Sequence, residues 1–217
     1  MNLNLNEIHD KLQIKYGSFK EELPEQQMSI KYLKGDEKIL EIGGNIGRNS
    51  LVISQILQNS ENLVVLESDE ISASQLKENR DLNNFNFHIE NSALSKRKLI
   101  QNGWNTKPSE ILENGFKWVK IIDYKELINK YNIIFDTLVL DCEGAFYYIL
   151  IDMPEILDNI NLIIMENDYD NLLKKEYVDD ILKKHNFKRD FFMSGRHVEA
   201  GWSPCCDNFF EVWKKNK

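Results

Sequence analysis

Short apolar runs alternate along this chain with longer stretches of helical spacing. KILEI (38–42), LVVLE (63–67), FNFHI (85–89), DTLVLD (136–141) and NLIIME (161–166) are short and rich in branched side chains, as buried strands are. Between the first two, residues 47–58 place Leu51, Val52, Ile56 and Leu57 at helical spacing. Ser68 or Asp69 can cap a helix running to about Leu82, along which Ile71, Leu76 and Asn79 fall, and Asp123 can cap another over 123–132. Residues 145–150 and a polar stretch to about Lys184 read as further helices, and FKRDFFM (187–193) and DNFFEVWKK (207–215) as a closing strand pair. This alternation predicts an α/β protein with a mostly parallel sheet and an antiparallel hairpin edge. Residues 95–120, punctuated by Gly103, Pro108 and Gly115, have the least regular pattern; they read as an elaborated connection with a strand near 118–122. Residues 1–35 read as a helical extension, with Pro24 suited to a first helical turn. With no linker or repeat, one domain over 1–217 is expected, with 36–217 as its core.

Composition narrows the partners. A formal charge of -8 and a pI near 5.1 weigh against a nucleic-acid partner held by phosphate neutralisation and suit neutral or cationic small molecules and neutral sugars. Cys142, Cys205 and Cys206 form neither a disulfide framework nor a paired metal motif, so a reducing, cytoplasmic setting is expected, with Cys205 and Cys206 as buried thiols. The N-terminus lacks the basic-then-apolar order of a signal peptide, and no apolar run is long enough for a membrane span.

The candidate chemistry begins in ILEIGGNIG (39–47). The spacing Gly43-Gly44-x-x-Gly47 fits neither GxxxxGK[ST] nor GxGxxG. Glu41, two residues before Gly43, would repel a pyrophosphate but attract an ammonium or sulfonium. S-adenosyl-L-methionine carries both cations and no phosphate. Glu67, ending the second apolar run, stands where sheets of this kind meet an adenosine ribose, a position a nicotinamide cofactor would also use. Two further runs stop at acids on the same expected rim, in Asp141-Cys142-Glu143-Gly144 and Glu166-Asn167-Asp168. Helix capping and surface charge would explain these acids without chemistry; the alternative is a site holding a hydroxyl and a metal.

In order, ILEIGGNIG, LVVLE, the Leu76-x-x-Asn79-x-x-x-Asn83 helix, NSAL (91–94), DTLVLDCEGAF and DNFFEVW resemble the FkbM-like methyltransferases over about residues 36–213. The resemblance implies a Rossmann-like class I methyltransferase fold, with a seven-stranded sheet and helices on both faces. It also implies S-adenosyl-L-methionine as cofactor and O-methylation of a sugar, glycan or related hydroxyl compound. The family's glycine turn falls on Gly43, Gly44, Asn45 and Gly47, its acid after the second strand on Glu67, and its D-x-E-G element on Asp141, Glu143 and Gly144. Its next acid is replaced here by Phe146. Ser68, Asn91, Ser92 and Ala93 complete the expected cofactor site, with Asp141 at its edge.

A sugar hydroxyl needs a base or a metal to remove its proton. Asp141, Glu143 or His197 could take it directly; alternatively Asp141, Glu166 and Asn167 could hold a divalent cation such as Mg²⁺. The metal-free base is the favoured arrangement. Trp104 and Trp202 are candidate flat faces for a sugar ring. Two other classes compete: a nucleotide-cofactor oxidoreductase, which lacks its glycine pattern here, and a non-catalytic cofactor-binding relative, which has no reason to keep Asp141 and Glu143.

Overall fold

The computed structural model describes residues 4–197, 200–201 and 203–216. Seven strands make the main sheet: β1 (Ile39–Ile42), β2 (Leu63–Leu66), β3 (His88–Glu90), β4 (Thr137–Leu140), β5 (Leu162–Glu166), β6 (Phe187–Met193) and β7 (Phe210–Lys215). Their spatial order is β3-β2-β1-β4-β5-β7-β6, with β7 antiparallel to both neighbours and all other pairs parallel. Among the described residues seven α-helices flank them, the first two ahead of β1: α1 (Leu5–His9), α2 (Leu23–Tyr32), α3 (Arg48–Ile56), α4 (Glu70–Leu82), α5 (Tyr124–Tyr131), α6 (Ala145–Asp152) and α7 (Leu172–Lys184).

Strand residues alternate between two cores. Leu40, Ile42, Leu138 and Leu140 pack on one face under α5, α6 and α7, through residues such as Leu127, Ile149 and Val178. Ile39, Leu63, Val65 and Val139 face the other way, against Ile8, Met28, Leu51 and Leu76 of α1 to α4. Each such burial contributes roughly 1.5–3 kcal/mol, so the two-sided sandwich holds the strand ends in fixed register. The helix starts follow from their caps. Asp69 accepts from the Ile71 and Ser72 amides, and Asp123 and Glu126 form a reciprocal capping box. Pro24 lies in the first turn of α2, as its fixed φ favours.

Three local expectations are corrected. The third strand starts at His88 rather than Phe85, because pairing to β2 begins at His88 opposite Val64 while Phe87 turns fully into the core. The region 95–120 is not irregular. Leu99–Asn102, Asn105–Pro108 and Lys117–Trp118 form a three-stranded antiparallel sheet, and Ala93–Leu94 pairs in parallel with Ile121–Ile122. Of the vicinal thiols, Cys205 is buried but Cys206 only half-buried. Along α4, Leu76 and Asn79 are buried while Ile71 is 68% exposed, on the outer side of the helix.

Candidate functional site

The carboxyl ends of β3, β2, β1, β4 and β5 stand side by side, so the acids that terminate them line one rim. Against that rim lies a cavity of about 300 Å³, the scale of small-ligand sites. Strand order fixes its layout. Ser92 and Ala93 follow β3, Glu67 and Ser68 follow β2, Gly43 and Asn45 follow β1, and Asp141 follows β4; all of them line the cavity.

The turn after β1 is glycine for steric reasons. At Gly43 (φ 90°) an added Cβ would stand 1.5 Å from the Asp141 carbonyl oxygen, so only glycine lets β1 and β4 close together here. A Cβ at Gly44 would meet Val65 Cγ1 at 2.2 Å. The backbone that results is held by both glycine amides donating to the Leu66 carbonyl, at 2.9 and 3.0 Å.

Glu67 is buried, yet both its oxygens are engaged by backbone: the Asn45 amide donates to Oε2 and the Asp69 amide to Oε1, each at 2.7 Å. Burial raises its pKa, and these amides oppose the rise. The carboxylate is therefore fixed in direction at the cavity wall. Asn91 lies outside the cavity; its Nδ2 donates to the Glu67 carbonyl at 2.8 Å and ties the end of β3 to that of β2. Gln101, from the unforeseen small sheet, lines the cavity and donates to Ser68 Oγ at 3.0 Å.

Glu41 is placed differently from expectation. It lies behind the turn, 3% exposed, accepting from Ser50 Oγ at 2.5 Å and facing a side cavity of about 10 Å³ that it shares with Glu22, Glu25 and Asp141. Burial pushes both Glu41 and Glu25 up to about 8. Its burial behind the turn and its bond to Ser50 make Glu41 an anchor of α3 to β1, away from the main cavity.

The catalytic candidates separate. Asp141 lines both cavities, and its pKa is raised well above the carboxylate range by burial first, then by the charges of Asp168, Glu22, Glu25 and Glu143. Glu143 lines the main cavity with left-handed backbone (φ 51°), just before Gly144, the residue that precedes α6. Oxygens of Asp141, Glu166 and Asp168 lie within 4.8 Å of one another. Asn167, expected as the third oxygen ligand, is fully buried, with its Nδ2 donating to the Asn208 carbonyl at 2.5 Å and its Oδ1 left without a hydrogen-bond partner; Asp168 is a further acid beside Asp141 and Glu166. His197 is exposed in the loop after β6 and does not line the cavity. Trp104 lines the cavity while 63% exposed, and Trp202 lies outside the described residues.

Sequence reasoning missed several lining residues. Arg97 and Asp152 form a two-pronged ion pair (2.5 and 2.8 Å), with the guanidinium over the Tyr148 ring, and all three line the cavity. Glu22 lines it from the N-terminal extension. Neither group belongs to a motif, and only the fold brings them to the rim.

No known protein family matches this sequence, and no curated protein does. Solved structures do match in fold. An O-methyltransferase from Bacillus cereus in complex with S-adenosylhomocysteine superposes with a TM-score of 0.54 at 14% identity, over 97% of this chain and 90% of that one. The O-methyltransferase TomG from Streptomyces achromogenes, involved in tomaymycin synthesis and solved with S-adenosylmethionine, gives 0.54 at 10% identity, over 98% and 89%. An rRNA methylase from Streptococcus thermophilus gives 0.54 at 9%, over 88% and 94%. The chain has the Rossmann-like methyltransferase fold, α/β with an antiparallel edge.

Proposed function

We propose that this protein is an S-adenosyl-L-methionine-dependent O-methyltransferase whose acceptor is a sugar, glycan or related neutral or cationic hydroxyl compound. The observation that carries the reading is the buried, backbone-oriented Glu67 carboxylate, set between a glycine turn and the Ser92–Ala93 edge. That wall fits a ribose diol with an adenine beside it, and the glycine turn leaves room for the rest of the cofactor. When bound, the cofactor would supply an electrophilic methyl group; the protein's part is to hold donor and hydroxyl in line and take the proton.

Asp141 is the group best placed to accept that proton, since it borders the cavity and its carboxyl holds protons more tightly than an ordinary aspartate. Glu143 is its neighbour on the cavity wall, and His197, which does not line the cavity, is a further alternative. Charge supports this choice of acceptor class. Glu22 and Glu143 line the cavity of a chain of net charge -8, a setting that disfavours a phosphate backbone, so a sugar is favoured over RNA. Trp104 offers a ring face to a sugar. The narrower FkbM-like kinship and a cytoplasmic setting belong to the same proposal and rest on the sequence motifs and the thiols; among the described residues, no helix is long and apolar enough to cross a membrane.

A second reading rests on the convergence of Asp141, Glu166 and Asp168, an all-oxygen set suited to Mg²⁺ or Mn²⁺, which would polarise the hydroxyl instead. The test is transfer of labelled methyl to a panel of sugars with an rRNA fragment as control, with and without EDTA. Label in a sugar, insensitive to EDTA, supports the base; EDTA loss restored by Mg²⁺ supports the metal. Label in RNA alone would overturn the acceptor assignment.

A further inference from the structure

The N-terminal extension contributes one side chain to the cofactor cavity, and its placement is unusual. Glu22 precedes α2 with left-handed backbone (φ 54°, ψ 36°), which residues with a long side chain seldom adopt. Its carboxylate is held by the glycine turn itself: Asn45 Nδ2 donates to Oε1 at 3.2 Å and the Arg48 guanidinium donates to the same oxygen at 2.6 Å. Both bonds fall on Oε1, which leaves Oε2 for a ligand. Arg48 also pairs with Glu21, an exposed carboxylate that does not line the cavity.

The rim order says which part of a ligand meets Glu22. With a ribose on Glu67 and an adenine toward Ser92, the amino-acid end must run the other way, past Gly43 toward Asp141. Glu22 borders the cavity on that side with Gly43 and Asp141, while Glu41, the acid the sequence offers for this task, is sealed behind the turn. We propose that Glu22 binds the α-ammonium of S-adenosyl-L-methionine, so that the N-terminal extension, and not the first strand, reads the amino-acid end of the cofactor. The inference rests on the methyltransferase reading and deepens it. A partly buried carboxylate gains most from a cation that replaces its lost water.

The test compares two ligands that differ in the amino acid. S-adenosylhomocysteine has the ammonium, and 5′-methylthioadenosine keeps the nucleoside and thioether without it. By calorimetry, Glu22→Gln should weaken S-adenosylhomocysteine on the order of tenfold and leave 5′-methylthioadenosine within about twofold. Glu21→Gln, which loses a partner of Arg48 but lines no cavity, should change neither. Equal loss of both ligands in Glu22→Gln would make Glu22 a mere support of the turn and overturn the proposal, as would no loss at all. A matching loss in Glu21→Gln would shift the effect to Arg48 and overturn it too. If Glu22→Gln does not fold, Glu22→Asp keeps the charge, shortens the reach and reads the same contrast. Wild-type protein that binds neither ligand would defeat the methyltransferase reading itself, a distinct outcome.

Discussion

At the scale of single residues, carboxylates do unlike jobs according to their burial and partners. Glu67 is fixed by two backbone amides and would take a diol; removing it should weaken S-adenosylhomocysteine at least about tenfold by calorimetry, since a lost hydrogen bond to a charged group costs about 1.5–3 kcal/mol. Unchanged affinity of Glu67→Ala would take this residue out of the site. Asp141 should matter to turnover instead. Asp141→Asn is expected to lose most methyl transfer while binding the cofactor nearly as well. Wild-type turnover should rise with pH as Asp141 gives up its proton, with a midpoint above the usual carboxylate range. A flat profile, or an active Asp141→Asn, would move the base to Glu143 or His197. The motif residues Gly43, Glu67 and Asp141 were readable in sequence because each ends or follows an apolar run. Glu22 and Arg97 were not, since nothing local marks a residue that only the folded chain brings to the rim. Glu41 misled because a sequence shows a carboxylate but not its burial or its Ser50 partner.

At the scale of elements, the four central strands were legible because burial on both faces demands continuous apolar runs, and β1, β2 and β4 are buried at every position. The small sheet over 99–118 escaped notice for the converse reason. Asn105–Pro108 and Lys117–Trp118 are largely exposed, so neither strand alternates or runs apolar, and the Gly103 turn alone does not announce a hairpin. The contact of β1 with β4 carries its own prediction. Gly43→Ala would force a methyl group into the Asp141 carbonyl and strain a positive φ, so the strands must part. We expect a loss of at least about 2 kcal/mol in chemical denaturation, and loss of S-adenosylhomocysteine binding even where the protein remains folded. Native stability with intact binding would mean that the two strand ends need not lie this close.

At the scale of the whole molecule, acidity sets both stability and partners. Glu25 and Glu41 have ordinary values of 4.5 and lie at about 8 in the folded protein. Folded chain keeps protons there that unfolded chain has released, so the contribution of these two groups to stability is full below about 4.5 and is lost as pH rises through about 8. The melting temperature should therefore be lower at about pH 8.5 than at about pH 6, and Glu41→Gln should flatten that fall. An identical slope in the variant would remove Glu41 as its source. The same acidic rim separates the rival cofactors. A pyrophosphate brought to Gly43 would face Glu22, whereas a ligand with an ammonium and no phosphate would be attracted. Calorimetric titration of the wild-type protein with S-adenosylhomocysteine and, separately, with NAD tests the account most directly. It predicts saturable one-to-one binding of S-adenosylhomocysteine and none of NAD under the same conditions; binding of NAD with no response to S-adenosylhomocysteine would contradict it.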